Sequence, residues 1–425
     1  MKKHLILAAT AAVALSSVAK ADVEIRITGA TAFRQATLRA IKSQFDSAGT
    51  LGTNYNFAHD KTASGTNYDG STRSVWKGKF PGVTGTTTIR CNFTGSVEGI
   101  RAIAVGGQYD ETYLSDANMT APSGETGGAT ALTQPLSAKF AFSDVLQSST
   151  PISSPALSPG DPRVGVVTFT MLANKGTPSD LTNVTSQQAR ALLSAGAQPL
   201  GLFTGKEGGN NDNYVFAVGR NDGSGTRTTY LAEIGYGIAR AVNQYVATDA
   251  TGTAINTIQR TPAGGAYKST VWGYDMDGNG GYASGSNVRD DFAKTTENVT
   301  VLEADGSELL SGMPIYMVTW LSTADAKVAI GTPGTAARAL AYNGVSIDPS
   351  QSPLSDEDQL KVTSGQYTAW GYENLYYAGS LSTDEGKVYA AILGAIPAKL
   401  KESATGIPMT EMKVSRSDDG GLVAP

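Results

Sequence analysis

The chain has 425 residues, among them 33 basic and 38 acidic residues, 49 glycines, two histidines and one cysteine. Its net charge of −5 argues against nucleic acids and anionic membranes as partners. One cysteine allows no internal disulfide, and so few histidines and cysteines exclude a zinc site built from these residue types. The length predicts two to three domains.

The amino terminus has the pattern of a secretory signal peptide. Lys2 and Lys3 precede an apolar run from Leu5 to Val18, and the segment 19–21 fits the small-residue cleavage rule. We therefore expect residues 1–21 to be removed and the mature protein to be periplasmic or extracellular. Without the three leader lysines, 30 basic residues face 38 acidic ones, a net charge of −8. The apolar run is too short for a permanent membrane span, and no second one reaches the required length, so the mature chain is not expected to be membrane-embedded.

Short apolar strands alternate with helical patterns along the mature chain. The sequence predicts a strand at 23–27 and a helix whose apolar residues recur over 33–45. Further strands are predicted at 164–169 and 215–218, the second followed by a helix with an apolar face over 231–242. This alternation predicts an α/β architecture with largely parallel sheets. No linker divides the chain, which is typical of two lobes joined by a chain that crosses between them twice.

The strongest functional signal is the segment Arg-Asn-Asp-Gly-Ser-Gly-Thr at 220–226. It follows a predicted strand and begins a helix, whose first N–H groups lack internal partners and attract anions. Gly223 and Gly225 permit close approach of the backbone to a ligand. The guanidinium of Arg220 matches a tetrahedral oxyanion, and Asp222 is expected to hold that group from its other side. The simpler alternative is a glycine-rich turn with an N-cap.

Two other segments repeat this strand–turn–helix arrangement, at 28–33 and 94–100. An ordinary N-cap explains each of them singly, but three such helix starts favour convergence on one anion.

Asp144 lies in a fourth segment, 140–145, where an acid is usually a cap or turn residue. Beside an anion, a carboxylate repels unless the ligand carries a proton that it can accept. Protonated phosphate offers such a proton and sulfate does not, so Asp144 would discriminate against sulfate.

These segments together resemble the periplasmic phosphate-binding proteins of ABC transporters, which belong to the type II periplasmic binding protein superfamily. The match at 220–226 is close, and the other three segments occur in the order of the family. The resemblance implies an α/β, two-lobed periplasmic binding protein-like fold of type II, with the chain crossing twice between lobes. Residues 22–168 and 367–425 would form lobe I, and residues 169–366 would form lobe II.

The resemblance implies an exported, monomeric solute-binding protein that takes inorganic phosphate between its lobes for ABC-type uptake. An ABC permease would be its partner, and neither enzymatic activity nor a cofactor or metal is expected. The implied phosphate-binding residues are Thr31, Ala32, Phe33, Ser96, Asp144, Arg220, Ser224, Gly225 and Thr226. Glu98 stands where the family usually has glycine, and Arg34 is a candidate to offset its charge.

Three alternatives stay open at this point. A surface or matrix protein on the same fold, with a drifted oxyanion or another ligand, would account for the Gly/Ser/Asn-rich insertions. A phosphohydrolase with Ser224 as nucleophile would lack an evident histidine base and a metal cluster. Finally, Asp275, Asp277 and Asn279 match the opening of a calcium loop, but the glutamate expected at its end is missing. A polar glycine-rich turn is the simpler interpretation of that segment.

Overall fold

The computed structural model describes residues 22–62, 68–105, 110–261, 268–269, 274–275, 280–331, 336–351, 353–403 and 406–425. The predicted signal peptide lies outside these residues. So do Asp277 and Asn279 of the calcium alternative, and only the backbone of Asp275 is described. Within the described ranges, no helix combines the length and the apolar character needed to cross a membrane.

The strands are numbered in chain order. They are β1 (Val23–Gly29), β2 (Tyr55–His59), β3 (Arg73–Gly78), β4 (Thr87–Asn92), β5 (Asp110–Leu114), β6 (Glu125–Thr126), β7 (Thr133–Ser137), β8 (Phe140–Ser143), β9 (Arg163–Ala173), β10 (Asn183–Val184), β11 (Ala197–Pro199), β12 (Tyr214–Ala217), β13 (Tyr245–Thr251), β14 (Ala254–Arg260), β15 (Lys268–Ser269), β16 (Tyr274–Asp275), β17 (Gly281–Tyr282), β18 (Val299–Leu302), β19 (Glu308–Met313), β20 (Tyr316–Ser322), β21 (Arg338–Tyr342), β22 (Trp370–Tyr377) and β23 (Gly406–Ile407).

The α-helices are numbered in the same way. They are α1 (Arg34–Ala48), α2 (Ser96–Ala104), α3 (Ser186–Ala195), α4 (Gly201–Thr204), α5 (Gly225–Glu233), α6 (Gly285–Phe292), α7 (Thr323–Ile330), α8 (Asp356–Thr363) and α9 (Thr383–Glu402). Short 3-10 segments occur at Tyr68–Gly70, Asp116–Asn118, Gln147–Ser149, Gly209–Asp212 and Met409–Glu411.

One large mixed sheet runs through the molecule. Its strand order is β11-β12-β20-β9-β22-β8-β1-β4-β3-β2-β6, with β10, β21 and β23 attached beside this path. Pairing is parallel around β1 and between β12 and β20, but β9 and β22 run antiparallel to all their neighbours. The expected α/β class is confirmed. The expectation of largely parallel sheets is wrong, because β9 and β22 run against their neighbours, as do β3 against β2 and β4, and β11 against β12.

The chain passes from one half of the sheet to the other within β9. Thr168 is the last residue of β9 that pairs with β22, and Phe169 is the first that pairs with β20. The returning segment lies directly beside this point, since the Phe169 N–H donates to the Ala369 carbonyl at 2.9 Å. The expected double crossing is therefore confirmed: β9 leads out of the first half and β22 begins the return.

Helix α1 follows the predicted pattern. Its side chains Leu38, Ile41 and Phe45 are fully buried and join the main core. They lie three and four positions apart, so they share one helix face. Burying each such side chain contributes about 1.5–3 kcal/mol, which holds α1 against the core.

Helix α5 is shorter than the apolar spacing predicted. It ends at Glu233, and the chain from there to Val242 is not helical. Gly235 and Gly237 adopt φ of +67° and +102°, in the left-handed region that ends helices. The predicted continuation of this helix to 242 is therefore wrong.

The carboxyl-terminal segment holds the end of α5 in place. Arg416 forms an ion pair with Glu233 at 3.0 Å and donates to the Thr368 carbonyl at 3.0 Å. Its guanidinium also lies 3.9 Å from the ring centroid of Trp370, a cation–π distance. These contacts tie the last residue of α5 to the returning segment between the two halves of the sheet.

Candidate functional site

The three strand–turn–helix segments meet in the structure. The Gly95 N–H donates to the Gly29 carbonyl at 2.9 Å, and the Val97 N–H donates to the Gly223 carbonyl at 3.1 Å. Gly29 and Gly95 adopt φ of +110° and +129°, and a Cβ on Gly29 would overlap the carbonyl oxygen of Phe142. Only glycine allows this conformation and this close approach of neighbouring backbones.

Asp144 lies at the centre of this meeting point, directly after β8, and is fully buried. Its Oδ1 accepts a hydrogen bond from the Ser96 hydroxyl, and its Oδ2 accepts one from the Thr226 hydroxyl at 3.1 Å. Burial raises the pKa of Asp144, while these two hydroxyls and the positive charge of Arg220 act in the opposite direction. The carboxyl group thus forms hydrogen bonds with residues at two of the three helix starts.

Arg220 is likewise buried, and three hydrogen bonds fix the orientation of its guanidinium. Its Nε donates to the Tyr282 carbonyl at 3.0 Å, and one terminal nitrogen donates to the Ala283 carbonyl at 2.9 Å. The other terminal nitrogen donates to the Thr31 hydroxyl at 3.1 Å. Arg220 therefore connects its own turn to the turn that precedes α1.

The charge of Arg220 depends on its surroundings. Burial lowers its pKa to about 10, the carboxylates of Asp325 and Asp144 act against that shift, and the nearby Arg34 reinforces it. The group still carries its positive charge at neutral pH.

Carbonyl groups, rather than Asp222, hold the outer edge of the Arg220 guanidinium. Burial lowers the pKa of Arg227 to about 10, and the negative charge of Asp222 acts against this shift. Asp222 therefore lies close to Arg227, which corrects the expectation that it would hold Arg220.

The first turn of α5 packs directly against the acid. Ser224 is the N-cap of the helix, and its hydroxyl accepts the Arg227 N–H at 3.3 Å. A Cβ on Gly225 would overlap Oδ1 of Asp144 and would lie 2.6 Å from the hydroxyl oxygen of Ser96. The position therefore requires glycine for steric reasons.

The turn before α1 divides its residues between the site and the core. Thr31 brings a hydroxyl to Arg220, and Ala32 lines the cleft beside it. Phe33 is fully buried, and its ring lies 5.7 Å from that of Phe142. Of the nine residues expected at the site, the side chain of Phe33 therefore belongs to the core and only its backbone remains available to a ligand.

A cleft of about 350 Å³ opens beside Thr31. It is lined by the start of α1 with Arg34 and by the start of α7 with Asp325 and Lys327. Ser322 caps α7, because its hydroxyl accepts the Asp325 N–H at 3.3 Å. Helix α7 is not among the elements predicted at the site, although Ser322 followed by Asp325 three residues later is a recognisable helix-start pattern.

Glu373 is an unusual buried acid near the site. It lies in β22 with no exposed surface, and within the described part of the chain neither of its carboxylate oxygens has a hydrogen-bond partner. Burial, together with the charge of Asp144, raises its pKa well above the usual 4.5. Glu373 is thus protonated in the folded protein at pH values where the unfolded chain has already lost the proton.

We expect Glu373→Gln to remove one cause of the fall in folding stability as the pH rises. Because the folded state binds this proton more tightly, stability falls as the pH rises from 4.5 towards the folded pKa. The variant should match the wild type near pH 4.5 and exceed it at pH 8, as measured by urea unfolding at both values. The exposed Glu308→Gln is the control and should show no such difference. Equal pH slopes for wild type and Glu373→Gln would contradict the argument.

The two side chains that a phosphohydrolase would need, a histidine base and the Ser224 nucleophile, are engaged in other contacts. His59 contacts Glu125 at 3.1 Å and lies 5.8 Å from the ring centroid of Phe57, while the Ser224 hydroxyl caps α5. Across the described ranges, the structure contains no group of three or more histidine, cysteine or acidic side chains placed to hold a metal ion.

The fold and the site define a class of protein: two halves of a mixed α/β sheet joined by two crossing segments, with a buried polar site where three helices begin. No family model and no curated protein matches the chain. Among solved structures, it is similar to a protein from Clostridium perfringens assigned to phosphate ABC transport and solved with bound phosphate. That similarity has a TM-score of 0.42 and 12% identity, and covers 89% of this chain and 98% of that one.

Two further structures have comparable similarity. An ABC-type phosphate transport receptor from Vibrio cholerae has a TM-score of 0.41 and 12% identity, covering 90% of this chain and 100% of that one. PstS from Borrelia burgdorferi has a TM-score of 0.36 and 11% identity, covering 91% and 100%. These TM-scores and identities carry no function over to this chain, so only its own site residues bear on what it binds.

Proposed function

We propose that this chain is an exported solute-binding protein that binds inorganic phosphate between two lobes for ABC-type uptake, without catalysing a reaction. The observation that carries the proposal is the buried Asp144, bonded to the hydroxyls of Ser96 and Thr226 and close enough to Arg220 for their charges to interact. An acid and an arginine in one buried site suit an anion that is itself a hydrogen-bond donor.

In the proposed complex, phosphate takes over hydrogen bonds that the site residues now make with one another. Arg220 and the hydroxyls of Thr31, Ser96 and Thr226 donate to phosphate oxygens, and Asp144 accepts the phosphate proton. The first amides of α5, at Gly225 and Thr226, add donors at the positive end of that helix. Several charge-assisted hydrogen bonds of about 1.5–3 kcal/mol each support micromolar or tighter binding after the costs of ordering and desolvation.

The lobe boundaries belong to the same proposal: residues 22–168 with 367–425, and residues 169–366. The change of partner strand within β9, between Thr168 and Phe169, supports the first boundary. Hinge motion would then occur where β9 and the segment before β22 lie side by side. Export, a location in the periplasm or outside the cell, a monomeric state and an ABC permease as partner are parts of this proposal too.

Titration calorimetry of the mature protein, residues 22–425 stripped of bound anion, tests the phosphate assignment. We expect phosphate to bind at least about 100-fold more tightly than sulfate, because sulfate offers Asp144 no proton and meets it with lone pairs. In Asp144→Asn, whose amide can donate to sulfate, this ratio should fall at least about tenfold.

Asp222→Asn is the matched control, since it removes the same charge from the neighbouring turn and should keep the selectivity. No heat with millimolar phosphate would overturn the proposal and favour a surface protein with another ligand. Equal affinities for the two anions in the wild type would overturn the role of Asp144.

A further inference from the structure

The cleft beside the site is larger and more positive than a single phosphate requires. Its volume of about 350 Å³ is more than ten times the roughly 30 Å³ that one water molecule occupies, whereas a phosphate ion has only five heavy atoms. Four cationic side chains and two acidic ones line it, a net charge of +2 in a mature chain of −8. The lining charges are Arg34, Arg39, Arg289, Lys327, Asp69 and Asp325.

Arg34 is the most informative of these charges. It is 8% exposed, it lines the cleft, and in the described part of the chain its guanidinium has no hydrogen-bond or ion-pair partner. It is also the first residue of α1, where the positive end of the helix disfavours a cation. A nearly buried, unpaired cation at this position lowers the stability of the protein. Its presence is explained if an anionic group of the ligand pairs with it.

Lys327, on α7, is a second cation that lines the cleft. Its amino group likewise has no partner among the residues that the structure describes. The other two cations have ion-pair partners: Arg39 pairs with Asp69 at 2.8 Å, and Arg289 pairs with Asp290 at 2.7 Å. Arg34 and Lys327 are therefore the two cations of the cleft that stay available to a ligand.

Arg289 and Asp325 both line the cleft, and Asp325 connects it with the site. Their closest charged atoms are 3.9 Å apart, and Asp325 also interacts electrostatically with Arg220. Thr31 touches both regions, since it lines the cleft and its hydroxyl accepts from Arg220. Thr31 and Asp325 thus place the cleft next to the phosphate site.

We propose that the cleft binds a second anionic group covalently linked to the phosphate held at Arg220, with Arg34 and Lys327 as its two cationic contacts. Besides inorganic phosphate, the protein then also takes compounds with two anionic groups, of which pyrophosphate is the simplest. This inference rests on the proposed function, because it takes the phosphate site at Arg220 as given.

Titration calorimetry on the mature protein with four probes tests this inference. The probes are inorganic phosphate, pyrophosphate, 2-phosphoglycolate with its carboxylate, and glycerol 3-phosphate, whose organic part is neutral. We expect pyrophosphate to bind at least about tenfold more tightly than phosphate, the gain from one or two charge-assisted contacts. A similar gain for 2-phosphoglycolate identifies a phosphate ester with a second acidic group as an equally suitable ligand. Glycerol 3-phosphate should gain nothing.

Charge-removing variants locate the second contact. Arg34→Gln and Lys327→Gln should each reduce the affinity ratio of pyrophosphate to phosphate, and the double variant should abolish the advantage. Lys79→Gln removes the same charge from an exposed position that does not line the cleft, and it should leave the ratio intact.

Three outcomes separate the failure of this inference from that of the proposed function. If phosphate binds but pyrophosphate gains nothing, the second subsite is overturned and the phosphate site stands. The same conclusion follows if Arg34→Gln and Lys327→Gln weaken both anions in equal proportion. If neither anion binds, the proposed function is overturned and this inference with it.

Discussion

Arg220→Met is expected to weaken phosphate binding at least about 100-fold. Arg220 offers a planar group with parallel N–H donors, and two charge-assisted hydrogen bonds contribute about 3–6 kcal/mol in total. At about 1.4 kcal/mol per factor of ten, this loss spans roughly 100-fold to 10,000-fold in affinity. The variant would also leave Asp144 and Asp325 without the positive charge beside them. Titration calorimetry measures the affinity directly.

Two variants show whether the loss is specific to the ligand contact. Arg220→Lys keeps the charge but not the planar group, so it should retain part of the affinity. Arg227→Met removes a guanidinium of similar burial from α5, close to Asp222. It should lower the melting temperature to a similar degree as Arg220→Met while losing far less phosphate affinity. An Arg220→Met protein that binds phosphate within about tenfold of wild type would refute the assignment of this residue.

The sequence was most informative where the signal is local. A strand, a glycine and a helix start follow one another within about seven residues at Gly29, Gly95 and Gly223, and each was recognisable without tertiary information. Their convergence was an inference from the number of such turns. The hydrogen bonds from Gly95 to Gly29 and from Val97 to Gly223 are in agreement with it.

The sequence was least informative where distant segments meet. Arg34 and Lys327 are nearly 300 positions apart in the chain, and no local pattern indicates that they share a cleft. Glu373 lies in a strand that reads as an ordinary apolar and aromatic segment, so its lack of partners depends on what packs around it. The end of α5 was missed for a different reason: the apolar spacing continued past Gly235, whose positive φ stops the helix.

The sheet direction illustrates the same limit. Alternating strands and helices indicate parallel pairing, and this holds for β1 with β4 and for β12 with β20. The antiparallel strands β9 and β22 have no local marker in the sequence. Their direction follows from their place between the two halves of the sheet, which only the complete topology reveals.

Gly225→Ala is expected to lower both stability and phosphate affinity. Its effect on stability depends on whether the gain in helix propensity or the steric clash is larger. Within a helix, alanine is favoured over glycine by about 0.5–1 kcal/mol, so the replacement would stabilise α5 in open space. Here the new methyl group would overlap Oδ1 of Asp144. Overpacking of this kind typically costs 1–3 kcal/mol, so the clash exceeds the gain in helix propensity.

The methyl group of Gly225→Ala would also displace the acid from its two hydroxyl partners, Ser96 and Thr226. We therefore expect the variant to lose about 100-fold in phosphate affinity, since both the carboxylate contact and the first turn of α5 are disturbed. Calorimetry gives the affinity, and urea unfolding gives the accompanying loss of stability.

Gly223→Ala is the matched control, two residues away in the same turn. Its φ also lies outside the left-handed region, and a Cβ there would lie 2.7 Å from Cγ of Glu98, a flexible side chain paired with Arg101 at the partly exposed surface. Glu98 can rotate away at a cost of at most about 1 kcal/mol, the usual contribution of such an ion pair. We expect this variant to lose less than about tenfold in affinity. Equal losses of phosphate affinity in the two variants would show that the conformation of the turn, rather than the position of Asp144, governs binding. The proton-accepting role of Asp144 would then have to be abandoned.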